Sequence, residues 1–264
     1  MKNDVGIKAL EAMERFITTF NTRNAKDWSE SLQYPHVRPS ARRDPRIFQT
    51  AEEYEAGVNF DRPIRMGWDH SEWDSKEVLH ASNNKVHAAG QYTRYTAEGE
   101  KIMTNHVTYI VTRINDNWGI QSRFGIDLFD ESTSNIDEVE SLVSKVIEDS
   151  VSATNARDCE NLAVLLNYPC LEVDTGVVNT WKSPQEFCKQ HHWLPTSVDV
   201  GWHHCGLDLV KVIQKSTIAA NVAVEMSHYN AENRIIATSQ AIYFLTFKEQ
   251  HWGIQARSTI EKIL

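Results

Sequence analysis

The sequence predicts an α+β fold made twice in one chain, each copy setting helices first and an antiparallel sheet after them. Three observations lead there. The string Asn117-Trp118-Gly119-Ile120-Gln121-Ser122-Arg123 returns 134 residues later as His251-Trp252-Gly253-Ile254-Gln255-Ala256-Arg257, and the same shift pairs Tyr34-Pro35 with Tyr168-Pro169 and Gly67-Trp68 with Gly201-Trp202. It also pairs His70 with His204, Asp74 with Asp208 and Tyr109 with Tyr243. Within each copy the apolar period changes from three-and-four to two. Matching capping boxes, Thr50-Ala51-Glu52-Glu53 and Ser183-Pro184-Gln185-Glu186, mark the last helix before the change. The repeat divides the 264 residues into a first domain at 1–128, a linker at 129–136 and a second domain at 137–264. Each is of ordinary domain size.

The elements follow in order. Ile7, Leu10, Met13, Ile17 and Phe20 make one helical stripe, as do Leu142, Val143, Val146, Ile147 and Val151. A second, short helix starts near Asp27 and Asp158, residues able to accept the unpaired N–H groups of a first turn. It stops before Tyr34-Pro35 and Tyr168-Pro169, because a residue preceding proline is driven to extended geometry. The capping boxes start the third helix, the second with proline at the first helical position. Strands are expected at about 67–80, 84–96, 101–114 and 117–126, then 201–214, 217–229, 234–248 and 251–260. Short turns such as Asn115-Asp116-Asn117 join them, so neighbours run antiparallel. The linker is acidic and polar, with Asn135 as an expected helix cap.

Composition narrows the function classes. The net charge is −9, with 10 basic and 17 acidic residues from position 131 onward leaving −2 for the first half. Neither half carries a basic stripe, so nucleic acid and anionic membrane surfaces are not expected partners. No apolar run approaches the roughly 18–20 residues that span a bilayer, and no signal peptide is read at the N-terminus. A cytoplasmic protein is expected. Cys159, Cys170, Cys188 and Cys205 all fall in the second copy without a C-x-x-C spacing, which reads as reduced, mostly buried thiols.

Helices first, a Tyr-Pro, a capped helix, then four long strands ending in Trp-x-Ile-x-x-Arg: this pattern resembles the NTF2-like superfamily in its SnoaL-like branch. The strings Tyr34-Pro35-His36-Val37-Arg38, Gly67-Trp68-Asp69-His70-Ser71-Glu72-Trp73-Asp74 and Trp118-Gly119-Ile120-Gln121-Ser122-Arg123 are similar to those of uncharacterised bacterial members. The resemblance covers the chain twice. It implies cystatin-like cones, each with three helices packed on a strongly curved antiparallel sheet, and an intramolecular pseudo-dimer open to further oligomerisation. It implies an unknown small-molecule ligand in a conical pocket and acid/base chemistry of isomerase, dehydratase or cyclase type, without metal or organic cofactor. The competing reading is a non-catalytic scaffold or ligand sensor acting through protein contacts. The tyrosine and aspartate set of the ketosteroid isomerases has no counterpart in register here.

Several residues are candidates for chemistry. In a strand, Trp68, His70 and Asp74 share a face, so His70 would be a general base oriented by Asp74. Trp202, His204 and Asp208 repeat the set as ligand contacts. These side chains could equally be packing groups. Tyr109 or His106, on opposite faces of one strand, would polarise a carbonyl, and Tyr243 repeats Tyr109. Arg123 and Arg257, near the end of the last strands, could meet an anionic ligand through the planar guanidinium fork or pair with a carboxylate. Tyr34, His36 and Arg38 sit at the cone mouth in relatives. In the second copy His36 and Arg38 become Cys170 and Glu172, so the first copy is the better site. His191-His192 and His203-His204 lack a metal-ligand interval.

Overall fold

A computed structural model describes residues 2–126, 136–191 and 201–264. The expected linker lies outside these residues except Ile136, as do its cap Asn135 and His192. The described residues form two compact units, each around one six-stranded sheet.

The first unit runs α1 (Lys2–Asn21), α2 (Ala25–Ser29), β1 (Leu32–Arg38), β2 (Arg46–Phe48), α3 (Ala51–Gly57), α4 (Asp61–Arg65), β3 (His70–Ala81), β4 (Lys85–Tyr95), β5 (Lys101–Ile114) and β6 (Asn117–Ile126). The second runs α5 (Ile136–Ala156), α6 (Cys159–Ala163), β7 (Leu166–Asp174), β8 (Val177–Trp181), α7 (Pro184–Gln190), β9 (Trp202–Lys215), β10 (Ala219–Asn230), β11 (Ile235–Lys248) and β12 (His251–Ile263). The strand orders are β2-β1-β6-β5-β4-β3 and β8-β7-β12-β11-β10-β9, one topology made twice. The duplicated α+β architecture is as expected. The sequence reading lacked β2, β8 and α4, and it lacked the parallel pairing of β1 with β6 and β7 with β12.

Local chemistry explains the boundaries. Thr50 accepts from the Glu53 amide while the Glu53 carboxylate reaches back to the Gln49 amide; Ser183, Glu186 and Lys182 repeat this. Asp158 caps α6, but in the first unit the cap is Asn24 rather than Asp27. Tyr34-Pro35 and Tyr168-Pro169 lie inside β1 and β7 with cis peptide bonds, not between helix and strand. The β5–β6 and β11–β12 turns put both central residues, Asn115-Asp116 and Glu249-Gln250, at positive φ, which matches the twist of a tight hairpin.

The buried stripe of α1 is Ala9, Ala12, Met13, Phe16, Ile17 and Phe20, while Ile7 is exposed. In α5, Leu142 is likewise exposed and Val139 is buried instead. Register shifts at Trp73/Ser75, Val78/His80, Arg94/Tyr95 and Ile110/Val111 put bulges in the strands, and bulges bend a sheet.

The thiol expectation is corrected. Cys159 and Cys188 form a disulfide tying α6 to α7, with Cα atoms 5.6 Å apart. Cys170 and Cys205 are free and buried, as expected. In the first unit Ala25 and Glu55 occupy the bonded positions, and the Ser29 hydroxyl bonds Glu55 at 2.9 Å instead. The helix pair is held in both copies by different chemistry. Among the described residues no helix is long and apolar enough to cross a membrane.

Candidate functional site

The helix-facing side of the first sheet carries a cluster of arginines and phenols. Pairing of Val37 with Ser122 sets Arg38 on β1 beside Arg123 on β6, and Arg123 stands opposite Tyr109 on β5. Arg38 Nη2 donates to the Tyr54 hydroxyl on α3, and its guanidinium lies 5.1 Å from the ring centroids of both Trp28 and Tyr54. Arg123 Nη2 donates to the Tyr92 hydroxyl on β4 at 3.2 Å. Arg94, two residues further along β4, lies over Phe20 at 5.5 Å. Two like charges side by side on neighbouring strands are unfavourable, and no described carboxylate pairs with Arg38 or Arg94.

Two glycines make room for this layer. A Cβ at Gly125 would sit 2.5 Å from Arg123 Nη1, so the bare backbone lets the guanidinium lie across β6. A Cβ at Gly90 would meet the Trp73 ring at 2.6 Å. That ring contacts Tyr92 and Tyr109 edge-on, with centroids 5.6 and 6.0 Å away. In the second unit the same positions are Thr259, Val224 and Leu207, a filling-in of the first unit's glycines.

Electrostatics follow from the geometry. Burial, followed by the Arg38 charge, holds His36 well below the usual imidazole range. Its Nδ1 donates to the Ile120 carbonyl at 3.0 Å and its Nε2 accepts from Arg38 Nε at 3.1 Å, which fixes the tautomer as neutral. Burial, with Arg123 adding to it, lowers the Arg38 guanidinium. Burial alone would raise Tyr92, but Arg123 and Arg94 outweigh it and hold the phenol below its ordinary value. Burial raises Tyr109 and Tyr54. The Tyr109 hydroxyl is fully buried, with the Arg123 guanidinium bearing on it and no acceptor for its proton among the described residues. Trp28 Nε1, Trp73 Nε1 and Arg94 Nε are buried and unmatched in the same way. All four can donate, and native proteins rarely leave such groups unanswered.

The second unit resolves the same positions internally. Glu172 replaces Arg38, stands opposite Arg257, and accepts from its Nε at 3.0 Å. Burial alone would lower Arg257, but Glu172 raises it. The counterparts of Trp28, Trp73 and Tyr92 are Leu162, Leu207 and Met226. Cys170, in place of His36, has its thiol pushed up to about 12 by burial, and burial likewise raises Tyr243.

Of the residues singled out from sequence, His36, Arg38, Tyr109 and Arg123 come together here, and Tyr243 and Arg257 meet Glu172 in the second unit. The His70–Asp74 dyad does not form. Trp68 precedes β3 and packs in the core against Phe20 at 4.5 Å, its Nε1 donating to Ser71. His70 pairs with Asp69 at 3.1 Å and stacks on Tyr95. Asp74 sits at the bulge between Trp73 and Ser75, which re-aims it toward Thr93 Oγ1 at 2.8 Å. Trp202, His204 and Asp208 repeat this: Trp202 donates to Cys205, His204 stacks on Tyr229, and Asp208 accepts from Ser227 at 2.7 Å. His106 lies on the face of β5 opposite Tyr109, away from the cluster. The Tyr34 hydroxyl donates to the Ser29 carbonyl and anchors the end of α2, as Tyr168 does with Ala163. Sequence reading missed Trp28, Tyr54, Trp73, Tyr92 and Arg94. Their signal was difference between the copies, the comparison already made for His36 and Arg38.

A family described as NTF2-like protein (DUF6841) matches residues 8–123. The first domain is NTF2-like. Solved structures similar to the chain include a cystatin-like protein of unknown function from Nostoc punctiforme PCC 73102, 11% identical over 49% of this chain and 93% of its own, TM-score 0.39. A putative scytalone dehydratase from Novosphingobium aromaticivorans DSM 12444 is 13% identical over 51% and 92%, TM-score 0.38. A putative ketosteroid isomerase from Shewanella frigidimarina NCIMB 400 is 15% identical over 46% and 97%, TM-score 0.37. No curated protein matches. The arginine cluster lies within the matched residues, Arg123 being the last of them.

One pH effect follows. The folded NTF2-like domain holds His36 and His87 well below 6.5, His87 through burial and the neighbouring His80. The unfolded chain therefore binds more protons just below that pH, and stability present above about 6.5 is lost as pH falls. Urea midpoints measured between pH 7.5 and 5 should decline. A His36→Asn variant, unable to take up that proton, should decline less steeply.

Proposed function

We propose that the first domain receives a small organic anion, a carboxylate on a flat apolar body, and that the second domain keeps the shape without the site. The observation that carries this reading is the buried Tyr109 hydroxyl, unmatched among the described residues, beside guanidiniums that no described carboxylate neutralises at Arg38. Every unsatisfied group in the cluster is a donor. A ligand answering them is rich in acceptors and negatively charged. Guanidinium forks match carboxylate oxygens two at a time. Phe16, Trp28, Trp73 and Tyr54 supply ring faces and edges for an apolar body, Phe16 lying 5.5 Å from both Trp28 and Tyr109. The partly exposed Arg38 and Arg123 give the anion its approach. The replacement of Arg38 by Glu172 supports the second half of the proposal, since the acid supplies from within what the ligand would supply in the first domain.

Phenylacetate is a suitable probe, with benzylamine as the cationic control. Calorimetric titration should show phenylacetate binding and no benzylamine binding. Tyr109→Phe deletes the unmatched hydroxyl. It should weaken phenylacetate about 10-fold while raising ligand-free stability by about 1 kcal/mol, because an unsatisfied buried hydroxyl is a cost to the fold. A variant that binds normally, or that loses ligand-free stability, would contradict the reading.

A further inference from the structure

We infer that the ligand of the first domain is a dianion, with a second acidic group held by Arg94 and Arg123 at the end of the cluster away from Arg38. This rests on the anion-receptor reading above and extends it to the class of ligand.

The three guanidiniums are ordered rather than pooled. Arg38 engages His36, Tyr54 and Trp28, on β1, α3 and α2. Arg94 engages Phe20 of α1 and bears on Tyr92, on β4. Arg123 stands between, facing Tyr109 across the strand pair, donating to Tyr92, and acting electrostatically on Arg38 and Tyr54 as well. Arg38 lies on β1, Arg123 on β6 and Arg94 on β4, and the sheet runs β1-β6-β5-β4. The row is therefore Arg38, Arg123, Arg94.

A single carboxylate seated between Arg38 and Arg123 would answer that pair and the Tyr109 hydroxyl. It would leave Arg94 without a counter-charge, with its buried Nε still unmatched among the described residues. The Phe20 ring and the Tyr92 phenol meet Arg94 without supplying a carboxylate. A second carboxylate beyond Tyr92 meets Arg94, beside Arg123. The ring edges of Trp73, Tyr92 and Tyr109 then line the stretch between the acidic groups, which fits a planar or aromatic spacer. In the second domain the Arg94 position is His228, which is bonded through both nitrogens, to Cys205 at 3.2 Å and Ser239 at 2.9 Å. That end of the row is closed there as well.

Phenylacetate and 1,3-phenylenediacetate, which differ by one acidic arm, separate the two claims in calorimetric titrations of the whole chain. The expected result is that wild type binds the diacid at least 30-fold more tightly. Arg94→Gln should abolish that preference, weakening the diacid about 30-fold more than it weakens phenylacetate. Arg94→Lys, which keeps the charge, should retain part of the preference and guards against a merely structural effect of the glutamine variant. Equal affinity for the two acids in wild type would overturn the dianion inference while leaving the anion-receptor reading intact. So would an Arg94→Gln variant that weakens both acids alike. Failure of both acids to bind would overturn both readings.

Discussion

An Arg38→Glu variant should lose at least 100-fold in affinity for phenylacetate and yet unfold at a higher temperature than wild type. Both effects come from one charge reversal. In the ligand-free first domain Arg38 stands beside Arg123, and burial with mutual repulsion lowers its guanidinium. The second domain holds the reversed arrangement already, Glu172 opposite Arg257 at 3.0 Å, with less than a third of either side chain exposed. A glutamate at 38 recreates that pair, replacing repulsion with a charge-assisted hydrogen bond, and should add about 1 kcal/mol of stability. The same carboxylate occupies the position proposed for the ligand's own and repels it. Loss of one fork and gain of one like charge together exceed the roughly 1.5–3 kcal/mol of a single charged hydrogen bond, hence the 100-fold. Titration calorimetry and a thermal melt check the two signs separately. Unchanged affinity, or a melt that falls, would contradict the comparison between the domains.

Removal of the Cys159–Cys188 disulfide should destabilise the second domain by about 3–4 kcal/mol on the loop-entropy account, for a sequence separation of 29 residues. For a domain of this size that is a fall in melting temperature of roughly 10 °C. The effect should be local. The bond joins α6 to α7, and the matching helices of the first domain rely on Ser29 and Glu55. Hydrogen exchange of a Cys159→Ser, Cys188→Ser double variant should therefore show lost protection in α6 and α7 and none in α2 and α3. Equal loss in both helix pairs, or no loss in either, would contradict it.

Much of this molecule was legible before its structure. The doubled register gave two copies, the change of period gave helices before strands, and β5 and β6 fall at the expected bounds of 101–114 and 117–126. The parallel pairing of β1 with β6 was not legible, because nothing local names a partner across some 80 residues. The thiol reading failed because cysteines 29 residues apart, on two short helices, carry no spacing signature. Of the candidate residues some gather in one cluster and others do not, for a physical reason. Identity between copies most often marked structural roles: Trp68 and Trp202, His70 and His204, Asp74 and Asp208, Tyr34 and Tyr168 each make the same packing or hydrogen bond twice. The His70–Asp74 dyad assumed unbroken alternation, and the bulge at Asp74 breaks it. Divergence marked the cluster. Arg38 against Glu172, Tyr92 against Met226, and Gly90 with Trp73 against Val224 with Leu207 are changes that make sense only together. Tyr109 and Arg123 belong to both groups, shared by the copies and given different neighbours in each.

The central claim is that one domain meets an anion with Arg38 and Arg123 while the other pairs Arg257 with its own acid, Glu172. Side-chain Nε–Hε resonances of 15N-arginine report this directly. On titration with phenylacetate, the signals of Arg38 and Arg123 should shift in a saturable way while that of Arg257 stays fixed. Arginine signals that do not move, or an Arg257 signal that moves with the others, would contradict the account.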